Sequence, residues 1–403
     1  MGGSWMSFSL LLITIDALRA DHLCCYGYRR ETSPRLDALA GESILFQRAF
    51  SPCSYTMPAH TSLMTGKYVP HHSMGYRQAS GRLDTDREIT LAEVLLARGY
   101  TTAAFVSCAV LDGRYGLDRG FVHYDDRMTR GEENRPHELI REGSLTTTAA
   151  LEWLKSGAGD PFFLWIHYFD VHGPYLQPEP FNTFFVPEDY AEEPVWLPVV
   201  DEGEAGGIPS YQLLVDDRDG TCRHALDARF YLARYDCGIR YVDHIIGDLF
   251  RSLKETGFWD ELMIVVTADH GEALGENGVY FYHGLTLTPD QIHVPLLVKM
   301  PRGKGPAGVQ VNVPVSTVDI MPSVLELVGF DYRRLALDGL PLLWSLDRPE
   351  LLRTRAIHSD LEIQGAVICG NRLHLWPRNV EGIEPGPSYN PLLVEREKII
   401  ELG

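Results

Sequence analysis

The stretch FSLLLITID, residues 8–16, decides the fold of this chain. It is apolar, contains β-branched residues and ends in the carboxylate of Asp16. Such a run is typical of a strand buried in a parallel sheet, with a polar side chain at its carboxyl end. The pattern recurs in residues 100–107, 161–170, 261–269 and 293–300. We therefore predict that these five runs are strands of one sheet.

Amphipathic helical patterns lie between these runs, at residues 33–43, 91–99, 145–157 and 225–257. Strands that alternate with helices predict an α/β fold, in which helices cover both faces of a mostly parallel central sheet. Ligands bind such sheets beyond the carboxyl ends of the strands. Asp16, Asp170 and Asp269 each end a predicted strand, so we expect a functional site at that edge.

Two segments depart from this alternation. Residues 174–220 are rich in proline and acidic residues and have no helical or strand period, which predicts an inserted loop or lid over the site. The last part of the chain has short strand-like runs around a turn at Gly370-Asn371. We therefore predict a catalytic domain at residues 1–330 and a small C-terminal antiparallel β subdomain at residues 331–403.

Acidic residues outnumber basic ones, 55 to 36, which gives the 403 residues a formal net charge of −19. A surface that binds a nucleic acid polymer needs an excess of basic residues, so this balance excludes such a partner. With 45% hydrophobic and 23% charged residues, the composition is that of a folded globular protein. An acidic enzyme can still bind a small anion where a metal ion or local donors reverse the charge.

The seven cysteines have no CxxC spacing and are odd in number, which favours reduced thiols in a cytoplasmic protein. No basic residue precedes the apolar run near the N-terminus and no small-residue cleavage site follows it, so we expect no signal peptide. The run is also too short for a bilayer, which takes about 20 apolar residues. We expect a cytoplasmic protein without a membrane partner, and a homo-oligomer is compatible with the sequence.

Three clusters contain residue types that carry out chemistry. They are ITIDALRADHLCCYG around Asp16, CSYTMPAHTSLMTG at residues 53–66, and TADHGEALGENGVYFYHG at residues 267–284. Each has a structural explanation when taken alone, since an aspartate after a strand is often a turn residue and Thr56 suits a helix N-cap. Taken together they predict a divalent metal site, because two carboxylates and an imidazole would meet at one sheet edge.

The predicted ligands are Asp16, Asp269 and His270, and Mn, Zn, Mg and Ca are all candidate ions. Thr56 is expected at a helix start, because Pro58 and the residues after it favour a helix that begins there. A hydroxyl at such a position beside a metal is activated twice. Coordination lowers its pKa, and the helix dipole stabilises the developing negative charge.

The ordered set of motifs resembles the sulfatase branch of the alkaline phosphatase superfamily. It comprises ITIDALRADHLCCYGY, SPRLDALAGESILFQRAFSPCSYTMPAHTSLMTGKY, FFLWIHYFDVHGPY, and IVVTADHGEALGENG with YHG and HVPLLV, over most of residues 8–330. The resemblance implies an alkaline phosphatase-like sheet with a metal at its carboxyl edge and a small C-terminal sheet. It also implies that Asp16, Asp269 and His270 are metal ligands and that Thr56, beside them, is the nucleophile.

By the same resemblance, His172 and His283 correspond to the residues that bind the substrate oxyanion and serve the leaving group, and His60 stands where the family has an arginine. We expect all three to bind substrate oxygens and His172 or His283 to be the general acid. A second metal could use Asp170, His172 and His283. The dinuclear relatives have an Asp-x-x-x-His spacing that is missing here, so we expect one metal.

The departures from the family pattern favour phosphorus esters. Formylglycine sulfatases have Cys-x-Pro-x-Arg, whereas Pro58 here places Thr56, not Cys53, at the nucleophile position. A threonine sulfate has no elimination route, whereas water can displace a threonine phosphate. Ala17 also follows Asp16 where the usual calcium site has a second aspartate.

The leading hypothesis is therefore a metal-dependent hydrolase of phosphate mono- or diesters or phosphonate esters, with a small anionic ester as substrate and a phosphothreonine intermediate. The alternatives are a sulfatase without formylglycine and a phospho-group transferase. His167 is expected to be a packed strand residue rather than a ligand, and His22 a loop residue near Asp16. Tyr235 and Asp236 are expected to form a helix face.

Overall fold

A central sheet organises the computed structural model of the chain, which describes residues 8–75, 81–187, 192–202, 204–216, 223–378 and 397–402. Its strands are β1 (Ser9–Ile15), β2 (Ile44–Phe46), β3 (Thr101–Phe105), β4 (His123–Asp125), β5 (Phe162–Tyr168), β6 (Leu262–Ala268), β7 (Leu296–Lys299) and β8 (Val309–Val311). Their order across the sheet is β8-β2-β7-β6-β1-β5-β3-β4. β7 runs antiparallel to both of its neighbours, and all other pairs are parallel. The prediction of a mostly parallel sheet is confirmed.

The α-helices of the described residues are α1 (Pro34–Ala40), α2 (Thr56–Thr65), α3 (Leu91–Ala97), α4 (Gly143–Lys155), α5 (Ala228–Glu255), α6 (Pro289–Ile292), α7 (Ile320–Leu327), α8 (Trp344–Asp347) and α9 (Pro349–Arg353). The four helices predicted from amphipathic patterns are α1, α3, α4 and α5. Every residue of β1, β5 and β6 is buried, so both faces of the sheet are covered. The α/β fold class is therefore confirmed.

The register of the central strands places the aspartates that follow two of them next to each other. β1 pairs in parallel with β6, and Ile15 lies opposite Ala268. The residues that follow, Asp16 and Asp269, therefore leave the sheet side by side at its carboxyl edge. β5 flanks β1 on the other side, with Thr14 opposite His167.

The C-terminal part forms an antiparallel sheet of β9 (Ile357–Asp360), β10 (Gln364–Cys369), β11 (Arg372–Pro377) and β12 (Lys398–Glu401). β10 and β11 are joined at Gly370, whose positive φ of 56° suits a residue without a Cβ. The predicted small antiparallel sheet is confirmed. Its apolar side packs on the segment that precedes and includes α2, where Asp360 N donates to Pro52 O at 2.9 Å.

The segment predicted as an insert, residues 174–220, has only short elements where the structure describes it. They are 3-10 turns at Phe181–Thr183 and Ser210–Gln212 and two-residue strands at Val199–Val200, Ile208–Pro209 and Val215–Asp216. Gln212 Nε2 donates to Phe281 O at 3.1 Å, which holds part of the segment beside the hairpin before His283. Its role as a lid stays a prediction.

A bilayer crossing requires a helix that is both long and apolar. Within the described ranges, no helix of the chain meets both requirements.

Candidate active site

Asp16, Asp269 and His270 lie together at the carboxyl edge of β1 and β6, and all three are buried. His270 Nε2 is 3.7 Å from Asp16 Oδ1 and 3.4 Å from Asp269 Oδ2. Asp269 Oδ1 accepts hydrogen bonds from the backbone N–H groups of Ala17 and His270, which fixes the carboxylate and turns Oδ2 to the centre of the group. The structure thus brings the three sequence-predicted ligands together.

Thr56 places its hydroxyl beside these ligands. Its Oγ1 lies 3.2 Å from His270 Nε2 and 3.4 Å from Asp16 Oδ2. Thr56 is the first residue of α2, because Tyr55 before it is extended and the helix runs on to Gly66, which ends it in the left-handed conformation. The hydroxyl therefore lies at the positive end of the helix dipole.

The donor set fits a divalent cation. Asp16 Oδ1 and Asp269 Oδ2 are buried and have no hydrogen-bond partner in the described part of the chain. His270 Nδ1 donates to Gly271 O at 2.8 Å, so in the neutral ring Nε2 is the nitrogen with the free lone pair that a metal requires. His270 Nε2 lies within 3.2 to 3.7 Å of Thr56 Oγ1, Asp269 Oδ2 and Asp16 Oδ1, which is close enough for these atoms to share one small cation.

Burial shapes the electrostatics of this centre. It raises the pKa of Asp16 to about 7 and that of the neighbouring Glu272 to about 8, because a desolvated carboxylate is unfavourable. A bound cation would reverse the shift at Asp16, since an opposite charge favours the ionised form. Metal binding at this edge would therefore release a proton.

His172 and His283 lie next to the ligand His270. The ring centroid of His283 is 4.2 Å from that of His270 and 5.0 Å from that of His172. His172 Nδ1 donates to Gly173 O at 2.6 Å, and His283 Nδ1 is 3.3 Å from Glu272 Oε1. Burial lowers the pKa of His283 to about 4 and that of His172 below its usual range, so both imidazoles are neutral in the substrate-free protein.

Most of the chain matches a known protein family. The model of the sulfatase family matches residues 9–330. The chain belongs to the sulfatase family. It is therefore an ester hydrolase, and enzymes of this family and of the wider alkaline phosphatase superfamily are metal-dependent.

Two curated relatives show how this sulfatase family member compares in length. The multifunctional alkaline phosphatase superfamily protein PehA of Trinickia caryophylli is 28% identical, over 83% of this chain and 76% of its own. An ulvan-active sulfatase of Formosa agariphila is 26% identical, over 79% of this chain and 61% of its own. The chain thus spans less than two thirds of that sulfatase.

A solved structure shares the fold. The phosphonate monoester hydrolase of Agrobacterium radiobacter superimposes with a TM-score of 0.68 at 22% sequence identity, over 91% of this chain and 87% of that one. The alkaline phosphatase-like architecture expected from the sequence is therefore confirmed.

His60 departs from its predicted surroundings in this member of the sulfatase family. It was expected to bind a substrate oxygen, but the structure buries the ring completely. Its Nδ1 is 2.8 Å from Thr56 O, and its Nε2 is 3.0 Å from Thr14 Oγ1. Both ring nitrogens are therefore engaged by the protein.

Sequence reasoning missed two residues of the site, His167 and Glu272. His167 was expected to be only a packed strand residue, yet its Nε2 lies 3.4 Å from Asp16 Oδ2 and has no hydrogen-bond partner within the described ranges. The signal was its place on β5, the strand next to β1, one residue before the strand ends at Tyr168. Glu272 follows Asp269-His270-Gly271 directly and is buried against His283.

Asp170 lies apart from these residues. Its Oδ1 accepts from Gly143 N at 3.0 Å, at the first residue of α4. In the described part of the chain, the acid and histidine groups close enough to share an ion include neither Asp170 nor His172 nor His283. The ligand set considered for a second metal is therefore not brought together.

Cys53 is buried in the apolar cluster under the C-terminal sheet, with Phe50 and Ala59. Burial raises the pKa of its thiol far above the usual range, so it is not a ready nucleophile. The cysteines that the structure describes are all free thiols.

Residues of α5 hold the loop that follows Asp16. They were expected to form only a helix face. The Tyr235 hydroxyl donates to Ala17 O at 2.7 Å, and Asp236 Oδ1 is 2.7 Å from Nδ1 of the buried His22. α5 therefore holds the segment that follows Asp16 in place.

Proposed function

We propose that the chain hydrolyses phosphorus esters, either phosphate mono- or diesters or phosphonate esters, through a covalent phosphothreonine intermediate on Thr56. One observation carries the proposal. The Thr56 hydroxyl is the group at the helix start that lies 3.2 Å from His270 Nε2 and 3.4 Å from Asp16 Oδ2, while Cys53 is buried in a separate apolar cluster.

Asp16, Thr56, Asp269 and His270 would hold one divalent cation, with Mn, Zn, Mg and Ca as candidates. Bound there, the cation would act as a Lewis acid on a phosphoryl oxygen and would lower the pKa of the Thr56 hydroxyl. The buried nitrogen ligand favours Zn or Mn over Ca, which takes oxygen ligands.

The Thr56 hydroxyl gives up its proton to solvent. Its Oγ1 then forms the new bond to phosphorus in line with the leaving oxygen, whose bond to phosphorus breaks. The leaving oxygen takes a proton from His172 or His283. These imidazoles are neutral in the free protein, and the negative charge of the bound ester favours their protonated form. Water finally cleaves the phosphothreonine ester and frees Thr56.

The names of the relatives support two ester classes. The solved neighbour is a phosphonate monoester hydrolase, which agrees with the leading proposal. The ulvan-active sulfatase agrees with the ester class of the alternative, sulfate esters. A phospho-group transferase, which passes the group from Thr56 to an alcohol, is the third candidate. We also propose that the substrate is a small anionic ester and that the protein is cytoplasmic.

The test compares Thr56→Ala and Thr56→Ser in metal-replete protein, with aryl phosphate mono- and diesters, an aryl phosphonate and an aryl sulfate as substrates. We expect the alanine variant to lose turnover by at least about 1,000-fold and the serine variant to retain part of it, because serine keeps the nucleophilic oxygen. Intact-mass analysis of quenched wild-type protein should show a phosphoryl adduct that Thr56→Ala lacks.

Cys53→Ala is the matched control, three residues away and outside the site. It should keep turnover close to that of the wild type. Phosphoester turnover that survives in Thr56→Ala would contradict the nucleophile assignment. A preference for aryl sulfate would favour the sulfatase alternative, and product transfer to added alcohols would favour the transferase.

A further inference from the structure

We propose that His60 is a positioning residue, which ties the first turn of α2 to β1 and thereby holds Thr56 in its reactive place. The tie is a chain of hydrogen bonds from Trp165 through Thr14 and His60 to the backbone carbonyl of Thr56. The inference rests on the proposed role of Thr56 as nucleophile, and it replaces the expectation that His60 touches substrate.

The chain of hydrogen bonds has a fixed donor at one end, the indole N–H of Trp165, and a fixed acceptor at the other, the carbonyl of Thr56. Trp165 Nε1 is 3.0 Å from Thr14 Oγ1, and an indole N–H can only donate. Thr14 Oγ1 is 3.0 Å from His60 Nε2, and His60 Nδ1 is 2.8 Å from Thr56 O, which can only accept. His60 therefore carries a proton on Nδ1, and in the neutral ring its Nε2 accepts from the Thr14 hydroxyl.

The protein encloses His60 on all sides. The ring is completely buried. His60 also packs edge-on against His167, with 5.1 Å between ring centroids. An imidazole with both nitrogens engaged thus occupies the position where formylglycine sulfatases have an arginine.

The chain joins the two elements whose spacing sets the chemistry. Thr14 lies on β1 two residues before the ligand Asp16, and Thr56 begins α2. The hydrogen bonds fix the backbone of the first turn of α2 relative to the strand that presents Asp16. The 3.4 Å separation of Thr56 Oγ1 and Asp16 Oδ2 depends on that frame. A misplacement of about 1 Å can cost about 100-fold in rate.

Two other roles for His60 fit the geometry less well. A substrate contact needs a ring nitrogen that is open to the ligand, and both nitrogens have protein partners. A metal ligand needs an unprotonated nitrogen facing the carboxylates. The nitrogen nearer to Asp269 is Nδ1, at 3.7 Å from Oδ2, and it carries the proton that is donated to Thr56 O.

The experiment uses a pair of variants that each keep one end of the imidazole. His60→Asn places its amide nitrogen near the position of Nδ1 and keeps the donor to Thr56 O. His60→Gln reaches the position of Nε2 and loses that donor. We expect kcat for an aryl phosphate diester to fall about 10- to 100-fold in His60→Gln and clearly less in His60→Asn, with KM within about threefold of wild type in both.

Thr14→Val breaks the same chain without touching Thr56 and should lower kcat with an unchanged KM. In the double variant Thr14→Val/His60→Gln, the loss in kcat should be smaller than the product of the two single losses, because both changes remove one chain. Thr102→Val is the matched control. Thr102 is a buried threonine on β3 whose hydroxyl donates to Gly120 O at 2.6 Å, and kcat should not change.

Metal content per protein and the unfolding temperature are measured for every variant. If His60→Gln does not fold, the comparison of His60→Asn and Thr14→Val with the wild type replaces it. A rise in KM at constant kcat would make His60 a substrate contact, and a loss of bound metal would make it a ligand. Either result overturns the proposal, as does an unchanged kcat in His60→Gln.

Failure of the positioning role and failure of the proposed function are distinguishable by single-turnover trapping of the adduct on Thr56. If the wild type forms no phosphothreonine, the proposed function fails whatever the His60 variants do. If the wild type and His60→Gln form it at the same rate, the nucleophile stands and only the positioning role is overturned.

Discussion

Two histidines with one nitrogen bound to the protein, His172 and His283, are the candidates for the proposed general acid. Each has its Nδ1 held, by Gly173 O and by Glu272, so that a tautomer with its proton at Nδ1 leaves Nε2 as the nitrogen that can receive and pass on a proton. Their 5.0 Å separation lets both approach one leaving oxygen. Their positions do not show which of the two is the acid. The dependence of the rate on the leaving group can identify it.

A leaving-group series on His172→Asn and His283→Asn should identify the acid. Loss of a general acid costs about 100- to 10,000-fold for a poor leaving group, because an alkoxide must otherwise leave unprotonated. The same loss should be small for a nitrophenolate, which leaves without a proton. We expect one variant to show this steep dependence in kcat/KM and the other a uniform loss. Equal slopes in both variants and the wild type would contradict a histidine acid.

At the scale of elements, α1 and α5 are joined by a carboxylate. Asp243 of α5 is buried, and its Oδ1 accepts from the backbone N–H groups of Arg35 and Leu36 at 2.9 Å each. It therefore caps the N-terminus of α1 from a different helix, a function that Ser33 beside the helix does not perform with its own side chain. The amphipathic pattern predicted both helices, but it contained no information on this contact.

The Asp243 cap should make stability depend on pH. Burial raises its pKa from 3.8 to about 7, so the folded protein holds this proton more tightly than the unfolded chain does. The contribution to stability is fully present below pH 3.8 and is lost as the pH rises through 7. Asp243→Asn keeps the accepting oxygen and has no proton to lose, so its free energy of unfolding should gain on that of the wild type between pH 4 and pH 8.

Denaturant unfolding across that range measures the gain. Asp248→Asn, half-exposed on the same helix and bonded to Arg251, is the control. An equal pH-dependent gain in the control would show that burial of Asp243 is not the cause.

Sequence patterns identified the long elements and missed the short ones for a physical reason. β1, β5 and β6 have seven residues each and are buried on both faces, so hydrophobicity alone marks them. β2 and β8 have three residues each, too few for a period to be seen. The run at 293–300 was found, but Pro295 interrupts it, and its antiparallel sense depends on connections that local patterns do not encode.

For the site, the order of motifs located Asp16, Thr56, Asp269 and His270 because each follows a recognisable strand or starts a helix. The surroundings of His60 could not be predicted in the same way. Its partner Thr14 is an ordinary strand threonine in sequence, and only the packing of α2 on the sheet brings the two together.

At the scale of the molecule, the proposed metal site would link catalysis to stability. Asp16 and Asp269 are buried at the edge of the central sheet with oxygens that lack hydrogen-bond partners among the described residues. A cation that binds the folded state alone stabilises it by mass action, by about 2.7 kcal/mol at 100 times its Kd.

Removal of metal with a chelator should therefore lower the unfolding temperature by several degrees, and re-addition of the metal should restore it. Differential scanning calorimetry of metal-replete and chelated protein measures the shift. The double variant Asp16→Asn/Asp269→Asn should not respond to the chelator. An equal response in that variant would place the stabilising metal elsewhere.

The position of β1 in the middle of the sheet has a consequence for biosynthesis. Leu10 pairs with Phe163 and with Met263, so the partners of this first strand leave the ribosome about 150 and 250 residues later. Until then an apolar strand has two open edges, which is a hazard for aggregation. Its contacts are also far apart in sequence, and such topologies fold slowly. Early collapse of residues 8–16, or their protection by a chaperone, would remove this hazard.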